Sequence, residues 1–345
     1  MKLRQIVLTV LCVSVTALFA PAASATSGTT GRAEAAAGWL ARQLVDGNHF
    51  EVEFDGQKFP DAGLTIDGIF AFAAAKVADT AGGNAIAWLA RPDVLSGYAG
   101  DGTAESYAGA TAKASLAAQV RGLDPAAFGG VDLLARLRAL LTPSGRFSDH
   151  SAFGDFSNSF SQALAIITLA RTPGGAPAAA VDFEAGTQCP DGSFPPSFDA
   201  GPCVGDTDAT AVVIQAMLAA GRPAVAQRAL TWLVGKQQAN GGLSTAHGDP
   251  GSAPNANTTG VAGQAFRAGG RIHAAQKAKA FVVSLQVGCE GAPADRGAIA
   301  FDASGVNPNN VVRATAQGVL GLGAPSLAKL TAAGSKPSAP ELVCP

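Results

Sequence analysis

One pattern recurs along this chain: an apolar helix, a turn rich in Gly and Asp or Asn, then a second, Ala-rich helix. Repetition at such a period means stacked units, because no single unit can bury its own apolar face. First helices are expected to begin near Trp39, Trp88, Leu133, Phe183, Trp232 and Phe281. The turns after them include Asp46-Gly47-Asn48, Ser144-Gly145-Arg146, Asp191-Gly192-Ser193 and Asn240-Gly241-Gly242, whose glycines supply positive φ. Second helices are expected to start at Asp67, Glu105, Asn158, Asp208, Asn257 and Asn310, at intervals of 38, 53, 50, 49 and 53 residues. Short polar side chains there would cap free backbone N–H groups. The runs behind them, such as 209–220 and 311–322, are small and apolar enough to be packed on most sides, which suits an inner layer. Neither the first nor the last copy is the polar cap that an open solenoid needs. The pattern therefore predicts an all-α fold, an α6/α6 toroid of six helical hairpins over residues 31–325, with an irregular tail over 326–345.

Composition narrows the function. Charged residues are 14% of the chain and the formal net charge is −2, so there is no basic stripe for nucleic acid. Residues 1–25 read as a signal peptide: Lys2 and Arg4, an apolar run over 6–19, then Ala23-Ser24-Ala25, with 26–30 as a short linker. The run is shorter than the ~20 residues a bilayer needs, and no second one follows, so the expected product is secreted with no stable membrane span. Cys12 leaves with the signal. Cys189, Cys203, Cys289 and Cys344 remain, and an even count in an oxidising compartment predicts two bridges. Three pairings are open, and nearness in sequence favours Cys189–Cys203 with Cys289–Cys344.

Gln188-Cys189-Pro190-Asp191-Gly192-Ser193-Phe194 and, after Trp232, Gln237-Gln238-Ala239-Asn240-Gly241-Gly242 resemble the repeats of the prenyltransferase and squalene-cyclase α/α-toroid group. The resemblance covers nearly all the chain behind the signal. It implies the toroid fold but no single activity, since that group holds terpene cyclases, zinc-dependent protein prenyltransferases and non-catalytic carriers. Asp206-Thr207-Asp208-Ala209 is similar to the Asp-x-Asp-Asp acid motif of class II terpene cyclases, with Ala209 where the last Asp would stand. His49, His150, His247 and His273 fall in different repeats and form no metal-ligand spacing, so no cofactor is expected.

Three second helices share a spacing. Gln215, Gln264 and Gln317 each follow Asp208, Asn257 and Asn310 by seven residues, close to two helical turns. Those six residues are the candidate ligand-binding set, a polar ladder on one side of a central cavity. Asp206 and Asp208 are the candidate catalytic pair. The incomplete acid motif favours a non-catalytic module holding an unknown small molecule or a protein partner at the toroid rim. The alternative is a terpene-cyclase-like or related toroid enzyme acting on an apolar substrate in the cavity.

Overall fold

The computed structural model describes residues 29–199, 201–245 and 252–344; the expected signal segment and His247 lie outside them. Among the described residues the inner layer is made of α2 (Ala62–Ala75), α5 (Ala108–Val120), α7 (Ser159–Ala170), α9 (Thr207–Ala219), α11 (Ala256–Ala268) and α13 (Val311–Gly321). Each packs on the next, and α13 packs back on α2, so the layer is a closed ring. Outside it lie α1 (Thr29–Arg42), α3 (Asp79–Leu89), α4 (Pro92–Ala99), α6 (Leu133–Ala139), α8 (Ala178–Gly186), α10 (Pro223–Lys236) and α12 (Ile272–Ser284). α1 bridges α13 and α2, and α10 bridges α9 and α11. The inner helices are buried along most of their length because Ala and Gly admit close approach. A Cβ on Gly260 of α11 would lie 2.3 Å from the Gln317 carbonyl oxygen of α13.

A repeated polar tie joins one turn to the next outer helix. The Gln188 amide donates to the carbonyls of Gly192 (2.9 Å) and Val225 in α10 (3.1 Å). Gln237 does the same to Gly241 and Ala274 in α12, at 2.9 and 3.0 Å. Gln286 does so to Gly297 (3.0 Å) and to Arg32 in α1 (2.8 Å), which closes the outer layer. Where Leu141 replaces that Gln, the amide comes from Gln162 on the inner helix and reaches Gly145 and Ala180. The turn glycines at 145, 192, 241 and 297 all have φ between 90° and 96°. A Cβ at each would come within 3 Å of a backbone carbonyl of the next outer helix.

Local boundaries differ from the sequence reading in three ways. Trp39, Trp88, Trp232 and Phe281 lie late in their helices rather than at the start, because the turn follows them directly. The side-chain caps of α2, α9 and α11 are Asp61, Asp206 and Asn255, so Asp67, Asp208 and Asn257 lie inside the helices. Asn158 caps α7 as expected, whereas Asn310 precedes α13 without a side-chain cap bond. Between α1 and α2 the chain forms a two-stranded hairpin, β1 (Glu51–Phe54) with β2 (Gln57–Pro60), turned by Asp55-Gly56, both at positive φ.

Both cysteine pairs form bridges, Cys189–Cys203 and Cys289–Cys344, each with Cα atoms 5.5 Å apart. The tail is packed across the C-terminal ends of the inner helices. Arg171, just past α7, donates to the carbonyls of Leu327 (2.8 Å) and Leu330 (2.9 Å). The Ala332 N–H donates to Val120 at the end of α5 (2.7 Å), and Lys76 beyond α2 donates to Thr331 (2.5 Å). Leu327, Leu330 and Ala332 are buried. The ring thus has a floor at one end.

One outer-layer residue opposes folding. Glu184 of α8 is fully buried, and neither carboxyl oxygen has a partner. Burial holds its carboxyl well above the ordinary range. The folded state keeps a proton that the unfolded chain releases, so this site loses stability as pH rises from the ordinary Glu range through the raised value. Glu184→Met is expected to stabilise the protein by about 1–3 kcal/mol, more at pH 8 than at pH 5, in urea denaturation.

Candidate functional site: the open end of the ring

Five inner helices are pinned to the turns outside them by one equivalent position. Thr65 accepts the Phe50 N–H (3.0 Å), Gln162 that of Phe147 (2.8 Å), Thr210 that of Phe194 (2.9 Å), Thr259 that of Leu243 (2.8 Å) and Thr315 that of Ile299 (2.9 Å). Thr111 holds the same place in α5 without a partner for its hydroxyl. This position faces outward. At about 100° per residue, positions two before and two after it point about 160° away, towards the ring axis.

Those positions form two tiers. The upper tier is Gly63, Gly109, Phe160, Asp208, Asn257 and Arg313; the lower is Asp67, Lys113, Leu164, Val212, Val261 and Gln317. Ten of these twelve are partly exposed, and Asp67 and Val212 are each 8% exposed. One turn deeper, Phe70, Leu116, Ile167, Gln215, Gln264 and Leu320 are all buried. The ring therefore opens at the N-terminal ends of its inner helices into a pit about 10 Å deep from the upper tier to the sealed one.

The two walls of the pit differ. On α13, α2 and α5 the wall is charged. Lys113 contacts the Asp67 carboxylate at 2.5 Å and the Gly63 carbonyl at 3.0 Å. Gln317 donates to Asp67 (3.1 Å), and Arg313 bonds Asp61 (2.9 Å) and lies 3.8 Å from Asp67. Two cations face two carboxylates, so this wall is locally neutral. Burial, then the charges of Asp67 and Asp61, raise the nearby Tyr98 hydroxyl far above its ordinary range. The opposite wall, on α7, α9 and α11, presents Phe160 level with Asp208 and Asn257, and Leu164, Val212 and Val261 beneath them.

Asp208 is the chemically distinctive residue. Its carboxyl is pushed up to about 7, first by burial and then by the neighbouring Asp206 charge. One oxygen accepts from the Thr258 hydroxyl at 3.2 Å; the other, buried, has no partner. Asp206 accepts from the Ala209 N–H at 2.7 Å, which fixes the start of α9 and so the orientation of Asp208. A carboxyl still protonated near neutral pH, with a free oxygen in a partly apolar pit, can donate a proton.

The ladder expected from spacing divides. Asn257 sits beside Asp208 in the upper tier, and its buried Oδ1 has no partner. Gln215 and Gln264 lie in the sealed tier. Gln215 donates to Gln264 (3.2 Å) and accepts from the Leu327 N–H (2.9 Å), and Gln264 donates to the Pro325 carbonyl (2.6 Å). These amides hold the floor. Gln317 is one tier higher, because Asn310 stands five residues before the outward-facing Thr315, whereas Asp208 and Asn257 stand two before Thr210 and Thr259. The buried Oδ1 of Asn310 also lacks a partner. The Asp67–Lys113 contact escaped the sequence reading, although a lone Lys inside the Ala run of α5 was its signal. Among the described residues no group of three or more His, Cys, Asp or Glu is placed to hold a metal ion, and no helix is long and apolar enough to cross a membrane.

No family model and no curated protein sequence matches this chain. Solved structures do. The type II terpene cyclase MstE from Scytonema superposes with a TM-score of 0.62 at 15% identity, covering 85% of this chain and 97% of that one. That cyclase has also been seen with geranylgeranyl dihydroxybenzoate as substrate. A protein from Actinoplanes gives a TM-score of 0.60 at 16% identity, covering 86% and 98%. An unsaturated glucuronyl hydrolase specific for heparin gives 0.60 at 12% identity, covering 85% and 95%. Activities this different on one scaffold fix the architecture alone: the chain is an α/α-toroid with a terpenoid-cyclase-like fold.

Proposed function

We propose that this protein is an exported enzyme that protonates an apolar, isoprenoid-like substrate in the axial pit, with Asp208 as the acid. The observation that carries the reading is the Asp208 carboxyl, raised to about 7, one oxygen unpartnered, above the apolar side chains of α7, α9 and α11. It favours the enzyme over the non-catalytic module that the shortened acid motif suggests. Burial, with the neighbouring Asp206 charge second, keeps the proton on Asp208, so the missing fourth position is not needed for that effect. The locally neutral wall around Asp67 suits a substrate without net charge at that end. Export rests on the signal-like segment and agrees with the two bridges.

The test is incubation of the full mature chain with linear isoprenoid alkenes in deuterated water. The expected result is product carrying one deuterium at the initiating carbon, with a rate that falls as pH rises above about 7, where Asp208 loses its proton. One observation favours a binding module instead: of the twelve residues in the two open tiers only Phe160 is aromatic, which leaves few faces to steady a carbocation. Saturable binding of the same alkenes with no deuterium uptake would establish that second reading.

A further inference from the structure

A second cavity lies at the other end of the ring. It holds about 480 Å³ and is lined by the ends of α9 and α11 and by the tail, with Leu218, Ala219, Ala268, Pro325 and Ala328 as its apolar surface. Its charged residues are Arg267 and Lys329. Neither forms an ion pair among the described residues, nor does nearby Lys279. Burial, and then the charge of Arg267, lower the Lys279 ammonium below its ordinary range, as expected where positive charge lacks a counterion. The surrounding sequence is equally one-sided: residues 209–289 hold seven Lys and Arg and one acid, Asp249, in a chain of net charge −2.

The cations do more than balance helix ends. Two helix C-termini contribute about half a negative charge each, roughly −1 in all. Arg267 and Lys329 bring two positive charges, and Lys279 adds to them. A net positive potential remains over a cavity whose other walls are apolar except for Gln215 and Ser326, and its volume lies within the range of small-molecule sites.

We propose that this cavity binds a single-chain amphiphile with an anionic head, the head on Arg267 and Lys329 and the chain along Leu218, Ala219 and Ala328. The site is separate from the axial pit, since the pit ends at the buried tier of Gln215 and Gln264, and Gln215 and the tail form part of this cavity's own wall. It does not depend on the reaction proposed for Asp208.

Calorimetric titration of the full mature chain with decanoate and with decyl phosphate tests it. At least one should saturate at one site per chain, weaken with added salt, and bind at least about tenfold more loosely to the Arg267→Gln/Lys329→Gln double variant. The tighter of the two identifies the head group. Both substituted side chains are exposed, so the variant should keep the wild-type melting temperature. Asp208→Asn should bind both ligands as the wild type does. Saturation by neither ligand overturns the proposal. So does equal affinity for decanol, undiminished affinity in the double variant, or loss of binding in Asp208→Asn, which would place the ligand in the pit.

Discussion

Asp208→Asn is expected to lower the rate of proton-initiated turnover by about 10²–10⁴-fold while leaving substrate affinity nearly unchanged. The amide can still accept from Thr258 and occupy the same space, but it has no acidic proton to give. The same substitution should make the protein more stable above neutral pH. In the folded state Asp208 holds its proton up to about 7, whereas in the unfolded chain it loses it near 3.8. Folded protein therefore binds more protons between those values, and wild-type stability falls as pH rises through them. The loss approaches about 4 kcal/mol well above pH 7, as an order of magnitude. Urea denaturation should show Asp208→Asn nearly equal to wild type at pH 4 and more stable at pH 8. A variant that is inactive yet no more stable at pH 8 would refute a buried protonated acid. One that is more stable yet fully active would refute its catalytic role.

Removing residues 326–345 is expected to leave a chain that does not fold. The tail buries Leu327 and Leu330, each worth about 1.5–3 kcal/mol. It also supplies the carbonyls that Arg171 and Lys76 need and the Leu327 N–H that Gln215 accepts, and its loss leaves those groups unpaired. It carries Cys344, whose bridge to Cys289 closes a segment of sequence separation 55 and adds about 2–4 kcal/mol. Together these match the 5–15 kcal/mol that holds a typical domain. A graded series keeps the effect measurable: Leu330→Ala should cost about 2–5 kcal/mol and Cys344→Ser about 2–4 kcal/mol in urea denaturation. Wild-type stability in the truncated chain would show that the tail is an ornament rather than a floor.

The ring was legible because its signal is redundant. Six Ala-rich runs at a near-constant interval, with Gly turns between them, fix two layers even when each boundary is wrong. Boundaries were wrong where two polar residues competed for one role. Asp206 and Asp208, or Asn255 and Asn257, are both good caps by type, and only the turn outside decides which one takes the N–H. That choice moves a residue from the helix start to the pit wall, so the site was less legible than the fold. The seven-residue spacing of Gln317 from Asn310 copied that of the true pair by coincidence. The position that sets the register is the outward-facing Thr at 65, 210, 259 and 315, a residue too ordinary to attract notice in a sequence. Asp55-Gly56 between Val52 and Phe59 was a readable hairpin sign, overshadowed by the helical repeat. The tail looked irregular because it pairs with helix ends through backbone groups, which leave no side-chain pattern.

The closing contacts join residues far apart in the chain: Arg313 reaches Asp61 across 252 positions, and the Trp39 indole donates to Ala294 across 255. A polypeptide emerging from the ribosome cannot make them until it is nearly finished. Every earlier length leaves two raw flanks of Ala-rich helix exposed, so each growing chain passes through a long interval in which it is prone to stick to its neighbours. A molecule of this shape therefore gains from shielding by a chaperone until its last helix is made, a consequence of having no ends.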